Sequence, residues 1–455
     1  MKPINDIPSA AQLSALHESA AKPAHILASR VPRLFLALGV VLGACSTAIQ
    51  AQTWETVDDI LPPASAYGIT SDSAGNIFVA GSVSDVTGRK HAVIMKSGDG
   101  GATWDTSADI DPGESTPQTF FSTIGSGDVT GGERHLVAAG WIKRVYNASG
   151  VYSGQWLVIR SKDAGATWET VDEYTHPTYS QVSVESHPGG VAVDSSGNIY
   201  VAGTAQQTVV TVKGKTTTTT YVNHWLIRKG VPAAGGAVQW TTTDLAYPTS
   251  KYHQVANVAA MEVACVGDNV YVVGGGGTDG NYWRVMKSSN GGTTWTVADN
   301  FKLYTGDLPS LAHSIAADSA GNLYVAGTAL TAVSGVTKAI WTVRKGMPGG
   351  TNWTTVDQFQ YPGGNAWGRS VAVAPNGDVH VTGNTRVSID RWLTRQRSAA
   401  TGLWSTTDDF SIAPAGNSEA RGITADPFGN VFSAGRSTDA GAVPHDWLVR
   451  RKLAP

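Results

Sequence analysis

Beyond residue 52, apolar and polar residues alternate with a period of two in short runs broken by glycine-rich turns. That alternation puts successive side chains on opposite faces of a β-strand, whereas an amphipathic helix needs a 3.6-residue repeat. Three runs recur in a fixed order. The first follows a tight turn: "GNIFVAG" (75–81), "RHLVAAG" (134–140), "GNIYVAG" (197–203), "DNVYVVG" (268–274), "GNLYVAG" (321–327), "GDVHVTG" (377–383) and "GNVFSAG" (429–435). The second opens on Trp156, Trp225, Trp283, Trp341, Trp392 or Trp447, with "AVIMK" from Ala92 taking that place once. The third begins at Trp54, Trp104, Trp168, Trp240, Trp295, Trp353 and Trp404 and continues in alternating Thr and apolar residues, as in "WETVDDI". A fourth run precedes the tight turn: "YGITSD" (67), "GGVAVD" (189), "HSIAAD" (313), "RSVAVA" (369) and "RGITAD" (421). Its register is ambiguous in the second and fourth units.

Each unit therefore predicts four short strands, here called a to d, over roughly 50 to 72 residues. Four antiparallel strands repeated around an axis make a β-propeller. The chain ends add to this. The first unit after residue 51 is a lone d strand from Trp54, and the last unit stops after its c strand, "DWLVRRK". Together they complete one blade, which closes a ring and covers strand edges that would otherwise be open. The expectation is an all-β, seven-bladed propeller over residues 52–455, closed by the N-terminal strand.

Composition agrees, with 52 glycines and 15 tryptophans in 455 residues. A formal charge of −3 excludes general attraction to nucleic acid. Residues 1–51 have a different character. Arg30 and Arg33 precede an apolar run from Leu34 to Ala44, followed by small residues, the layout of an export signal whose core is too short to span a bilayer. Two processing routes are open. "LGAC" ending at Cys45 resembles a bacterial lipobox and would leave a lipidated Cys45. "STA" or "IQA" would suit cleavage to a soluble protein. Either route predicts an extracytoplasmic chain: secreted, periplasmic or lipid-anchored, with the membrane reached only through Cys45. Cys265 is then without a cysteine partner, and a monomer is expected.

The c-to-d turns carry a further motif. It is clear three times: at Ser97, Asp99, Gly101 and Trp104; at Ser161, Asp163, Gly165 and Trp168; and at Ser288, Asn290, Gly292 and Trp295. Asp can accept bonds from local backbone N–H groups, Gly supplies a positive φ, and Trp packs into the blade. This resembles the Asp-box (BNR repeat) of the sialidase-like propeller superfamily, over nearly the whole chain after residue 51. That superfamily includes sialidases, other glycan hydrolases, assembly factors and sorting receptors, and the resemblance implies a structural role for the boxes. The seven units fit its seven-bladed members better than six-bladed sialidases. Units without a box carry Arg228, Arg344, Arg395 and Arg450 in strand c, where boxed units carry Met95, Ile159 and Met286. Those arginines either replace the hydrogen bonds of the box or form a basic surface.

Ligands of propellers are expected on the face of the d-to-a and b-to-c loops. Only Trp141 and Trp367 fall outside the repeating tryptophans, and both map to that face as candidate platforms for a glycan or protein ligand. The entrance to strand a carries Tyr67, Gly189, His313, Arg369 and Arg421, with Glu419 close by. Arginines beside a histidine could clamp a carboxylate or phosphate. In the third unit "TVVTVKGKTTTTTYV" predicts a protruding hairpin. Glu114, Glu173, Glu185, Asp307 and Glu419 offer carboxylates for hydrolysis, but no spacing pairs them. No metal-ligand cluster or nucleotide-binding loop is evident, so neither metal nor cofactor is expected. The sequence reading is a non-catalytic binding scaffold, with a glycan hydrolase working in the central cleft as the alternative.

Overall fold

The computed structural model describes residues 53–60, 63–111, 118–145, 152–175, 187–246, 259–276, 281–438 and 446–454. The export segment with Cys45 lies outside them, as do Glu114 and Glu185. The described residues form seven four-stranded antiparallel sheets. β1 (Glu55–Ile60) comes first. Blade 1 holds β2 to β5 (Ala64–Ser71, Ile77–Ser84, Lys90–Ser97, Asp105–Ile110) and blade 2 holds β6 to β9 (Thr119–Asp128, Arg134–Val145, Tyr152–Ser161, Glu169–Tyr174). Blade 3 holds β10 to β13 (His187–Val193, Ile199–Lys213, Thr216–Pro232, Val238–Ala246) and blade 4 holds β14 to β17 (Ala259–Val266, Asn269–Gly276, Tyr282–Ser288, Thr296–Phe301). Blade 5 holds β18 to β21 (Ser310–Ala317, Leu323–Val333, Val336–Met347, Thr351–Phe359) and blade 6 holds β22 to β25 (Asn365–Val373, Val379–Arg386, Asp390–Arg397, Trp404–Phe410). Blade 7 holds β26 to β28 (Asn417–Ala425, Val431–Thr438, Asp446–Lys452), and β1 supplies its fourth strand by pairing antiparallel with β28. The a strands pack in series around the axis, and β26 returns to β2. The seven-bladed propeller and its closure are therefore as the repeats predict.

Two interlocks set neighbouring blades against each other. The strand-c tryptophans Trp156, Trp225, Trp283, Trp341, Trp392 and Trp447 are fully buried. Trp392 lies against Gly435 of the next blade, where an added Cβ would come within 2.7 Å of the indole and 2.1 Å of the Glu419 carbonyl oxygen. Trp447 meets Gly81 in the same way across the closure, at 2.6 Å. The closing glycine of "VAG" is thus a seat for the preceding blade's indole. Ala92 of blade 1 has no indole to offer, and the atoms nearest an added Cβ at Gly140 of the next blade are backbone of β6.

The second interlock is the arginine set. Arg395 Nε and Nη2 donate to Asp357 Oδ2 and Oδ1 of the preceding blade at 2.8 and 3.0 Å, while Nη1 donates to Thr406 Oγ1 on its own blade. The guanidinium also lies 4.2 Å from the Phe359 ring centroid. Arg228 grips Asp172, Arg344 grips Asp299 and Arg450 grips Asp408 in the same bidentate manner. Arg450 Nη1 further reaches Thr56 and so ties the two ends of the described chain. All four arginines are buried, which rules out a basic surface. They do not replace the box bonds within their own turn either, because each fork reaches the neighbouring blade. Where strand c carries Ile159, the facing position is Ala108, and the ion pair gives way to apolar contact in one core.

The three predicted boxes share one network. In the first, Ser97 Oγ donates to Asp99 Oδ1 and accepts from the Gly101 N–H, while Asp99 accepts from the Thr103 N–H and hydroxyl. Those Thr103 bonds draw the Asp99 carboxyl down to about 2. In the second, Ser161 Oγ donates to Asp163 Oδ1 and accepts from the Gly165 N–H at 2.9 Å, and Asp163 accepts from the Thr167 N–H and hydroxyl. In the third, Ser288 Oγ donates to Asn290 Oδ1 and accepts from the Gly292 N–H at 2.8 Å. Here the box departs from the acidic pattern. Asn290 Oδ1 accepts from the Thr294 N–H as a carboxylate would, but its Nδ2 donates to the Thr294 hydroxyl, which reverses that bond. Gly101, Gly165 and Gly292 all have positive φ, at 88°, 79° and 86°, as the motif requires. The tryptophans are less uniform than expected. Trp104 is buried, whereas Trp168 and Trp295 are half-buried, and Trp295 Nε1 turns back to the Gly292 carbonyl of its own turn at 3.0 Å. The predicted hairpin of blade 3 is also present, with β11 and β12 paired without a break out to Lys213 and Thr216.

Candidate functional site

Every a strand carries a β-bulge at the same level. The register against strand b shifts around Tyr67, Ser122, Gly189, Met261, His313, Arg369 and Arg421. A bulge inserts one residue that faces no partner and re-aims its side chain. The seven bulge residues all line one cavity of about 190 Å³ on the propeller axis. The strand-a entrance residues of the sequence reading are five members of this ring. Ser122 and Met261 complete it, and they were missed because the register of units two and four is unclear in sequence. Aligned on the bulge, the runs read "AYGI", "FSTI", "PGGV", "AMEV", "AHSI", "GRSV" and "ARGI". The residue after the bulge is small in six of them, and the exception is Glu262. On the neighbouring strand, an added Cβ at Gly190 would lie 2.1 Å from Glu262 Oε1, so glycine makes room for this carboxyl.

The charged members sit in different states. Glu262 Oε1 accepts from the Val263 N–H at 3.0 Å. Its carboxyl group is enclosed, although the residue keeps some exposure to the cavity. Burial pushes the carboxyl up to about 8, against the pull of the Val263 and Val191 amides. His313 is held well below the usual histidine range by burial and by Arg369 and Arg421, and is neutral at pH 7. Burial and the repulsion of Arg421 bring Arg369 down to about 10. Its Nε reaches Asn384 Oδ1 at 3.4 Å, and Asn384 in turn binds Asp390. Arg421 Nη2 donates to Glu419 Oε2 at 2.5 Å, while its buried Nε has no protein acceptor. Glu419 Oε2 also accepts from Arg436 Nε and Nη2 at 3.1 and 3.0 Å. Burial opposes ionisation of Glu419, but Arg421 and Arg436 outweigh it and hold the carboxyl below its usual range.

The two tryptophans differ from expectation. Trp141 does not open a loop. It lies within β7, opposite Trp156, and is only 5% exposed. The ladder runs past it, and Gly154 leaves space for the indole against β8. Trp141 therefore belongs to a cluster of tilted aromatic rings, 5.7 Å from Phe120, which is itself 5.7 Å from Tyr67 of the ring. Trp367 lies in β22 rather than in a loop and is half-buried, with the Arg386 guanidinium 5.9 Å from its ring centroid. Among the candidate carboxylates, Glu173 is exposed near the end of β9 and Asp307 is exposed in the loop before β18. Glu419 stands beside the ring.

The axis opens at its other end into a larger cavity of about 350 Å³, lined among others by Asp72, Asp128, Arg134, Asp318 and Asp426. Here size does not identify the site. Asp72, Asp318 and Asp426 each cap an a-to-b turn through backbone N–H groups and an Asn side chain. Arg134 is engaged by Asp72 and Asp128.

A family model described as a beta-propeller repeat (SBBP) matches residues 187–207, which span β10 and the start of β11. No curated protein matches the chain. Among solved structures, the chain is similar to a protein of unknown function from Dyadobacter fermentans, at 12% identity and a TM-score of 0.44, over 88% of this chain and 99% of that one. It is also similar to an α-L-arabinofuranosidase from Fusarium graminearum, at 10% identity and a TM-score of 0.42, over 89% and 97%. A third similar structure is the polysaccharide lyase Uly1, at 10% identity and a TM-score of 0.47, over 85% and 90%.

Proposed function

We propose that this is an exported propeller of the Asp-box type that acts as a non-catalytic scaffold, binding a glycan or protein ligand on the face of the d-to-a and b-to-c loops. The bulge ring is the centre of that face. The carrying observation is the state of Glu419. Two arginines share one of its oxygens, which supports a role in positioning Arg421 rather than as a free base or nucleophile. Around it the ring offers guanidinium, imidazole, phenol and hydroxyl groups, a set suited to holding a polar ligand. Trp367, half-buried in β22 two residues before Arg369, offers an aromatic surface. The chain works outside the cytoplasm as a monomer, either soluble or anchored through Cys45, without a metal or cofactor and without nucleic acid.

One observation favours a glycan hydrolase instead. Glu262, with its carboxyl near 8, is protonated at neutral pH as a general acid must be, while Glu419 is ionised. A glycan array run beside a panel of chromogenic glycosides separates the two readings. Glycan binding without turnover, weakened by Trp367→Ala, is the expected result. Turnover abolished by Glu262→Gln or Glu419→Gln would replace the scaffold with an enzyme.

A further inference from the structure

The ring holds more positive than negative charge. Arg369, Arg421 and Arg436 are cationic, and Glu419 is the ionised carboxylate among them. Asp390, behind Arg369, is engaged by Arg386 and Asn384. The other titratable groups facing the cavity are the neutral His313, the protonated Glu262 and Tyr67, and Ser122, Gly189 and Met261 complete the bulge ring. Arg421 and Arg436 thus share the single carboxylate of Glu419, and the buried Arg369 beside them makes no ion pair among the described residues, so the group keeps a net positive charge. Unpaired buried charge is costly, and each ion loses several kcal/mol of hydration. The donors are also aimed without protein acceptors: Arg369 makes one long bond through Nε, and Arg421 Nε makes none. The cavity of about 190 Å³ exceeds by several-fold the roughly 30 Å³ that a water molecule occupies in the liquid.

We propose that the bulge ring is a binding site for a small oxoanion, a phosphate, sulfate or carboxylate group, held between Arg369 and Arg421. The anion supplies the missing counter-charge and accepts from the open guanidinium donors. This deepens the scaffold reading and rests on the ring being the site it uses. Glu262 adds a proton linkage. While protonated it leaves the anion unopposed, and its ionisation above about pH 8 puts a like charge across the cavity. His313 is neutral on both sides of that range and does not contribute to the change.

The test is isothermal titration of the full chain at constant ionic strength with sulfate, phosphate and acetate, and separately with a sulfated and a uronate-bearing oligosaccharide. Arg369→Met and Arg421→Met should each weaken binding about 10- to 100-fold. Arg134→Met, at the opposite mouth, should change it less than about twofold, because its charge is remote and already paired. Sulfate affinity should fall between pH 7 and 9, below the range in which Arg369 itself loses its proton, and Glu262→Gln should remove most of that fall. Free ions binding through the two arginines, with or without the oligosaccharides, support the site, and the oligosaccharide arm tells whether the anion is free or carried on a glycan. Ions that bind while no glycan does leave this site standing and sink the glycan reading above. Binding indifferent to both arginines, or binding of none of the probes, overturns the proposal. Should either variant fail to fold, a selenate-soaked crystal of the parent decides: an anomalous peak within the ring supports the site, and its absence there refutes it.

Discussion

Arg395→Met should destabilise the propeller far more than a surface charge change, and a second substitution should undo the damage. Arg395 is the bidentate partner of Asp357, and both are under 10% exposed. Burial already pushes the Asp357 carboxyl above its usual range, while Arg395 pulls the other way. Without Arg395 only the push remains, and an unpaired buried carboxylate costs about 3–5 kcal/mol. The chain contains its own apolar solution in Ile159 facing Ala108. Arg395→Met with Asp357→Ala should therefore return to within about 1 kcal/mol of the parent, since apolar replacement of a buried pair is close to neutral. The sign of the pH dependence follows. With its folded pKa raised, Asp357 penalises the single variant above the unfolded carboxylate pKa, so the deficit should shrink as pH falls towards 4. Guanidinium unfolding followed by tryptophan fluorescence, at pH 7 and pH 4, gives the cycle. A double variant as unstable as the single one, or a deficit that does not change with pH, would refute the clamp as the cause.

Glu262→Gln should raise stability at pH 7 by on the order of 2–3 kcal/mol and leave it unchanged at pH 4, because the raised carboxyl penalises the fold only where the unfolded chain ionises; thermal unfolding across that range checks it. Gly435→Ala should cost about 1–3 kcal/mol, since its Cβ would meet both Trp392 and the Glu419 carbonyl, and denaturant midpoints would show it. Asp99→Ala and Asp163→Ala should lower the thermal midpoint through loss of turn bonds and leave ligand affinity untouched, as measured by titration.

The architecture was legible because it is written seven times. Strand order, blade number and closure follow from the repeated tryptophans and from glycines that seat one blade on the next at Gly81, Gly327, Gly383 and Gly435, so local pattern and global packing agree. The candidate site was half-legible. Tyr67, Gly189, His313, Arg369 and Arg421 share a position after a recognisable entrance, but the bulge that turns them inward leaves no composition signal. Glu262 was hidden for the same reason, since its unit lacks a clear register until "AMEV" is set beside "AHSI". Trp141 misled because strand length beyond a repeat is set by cross-strand pairing, here as far as Val145 and Tyr152, rather than by the repeat itself. The arginines stand in the units without a box, but their partners lie on another blade, at a separation that spacing does not reveal.

The claim at the centre of this account is that the bulge ring binds ligand without transforming it. The most direct measurement is a glycan array on the parent chain and on Arg369→Met, with every bound glycan then recovered and analysed for cleavage. The account predicts intact glycans on the parent and their loss from Arg369→Met. Cleaved glycans, or binding that survives the loss of Arg369, would contradict it.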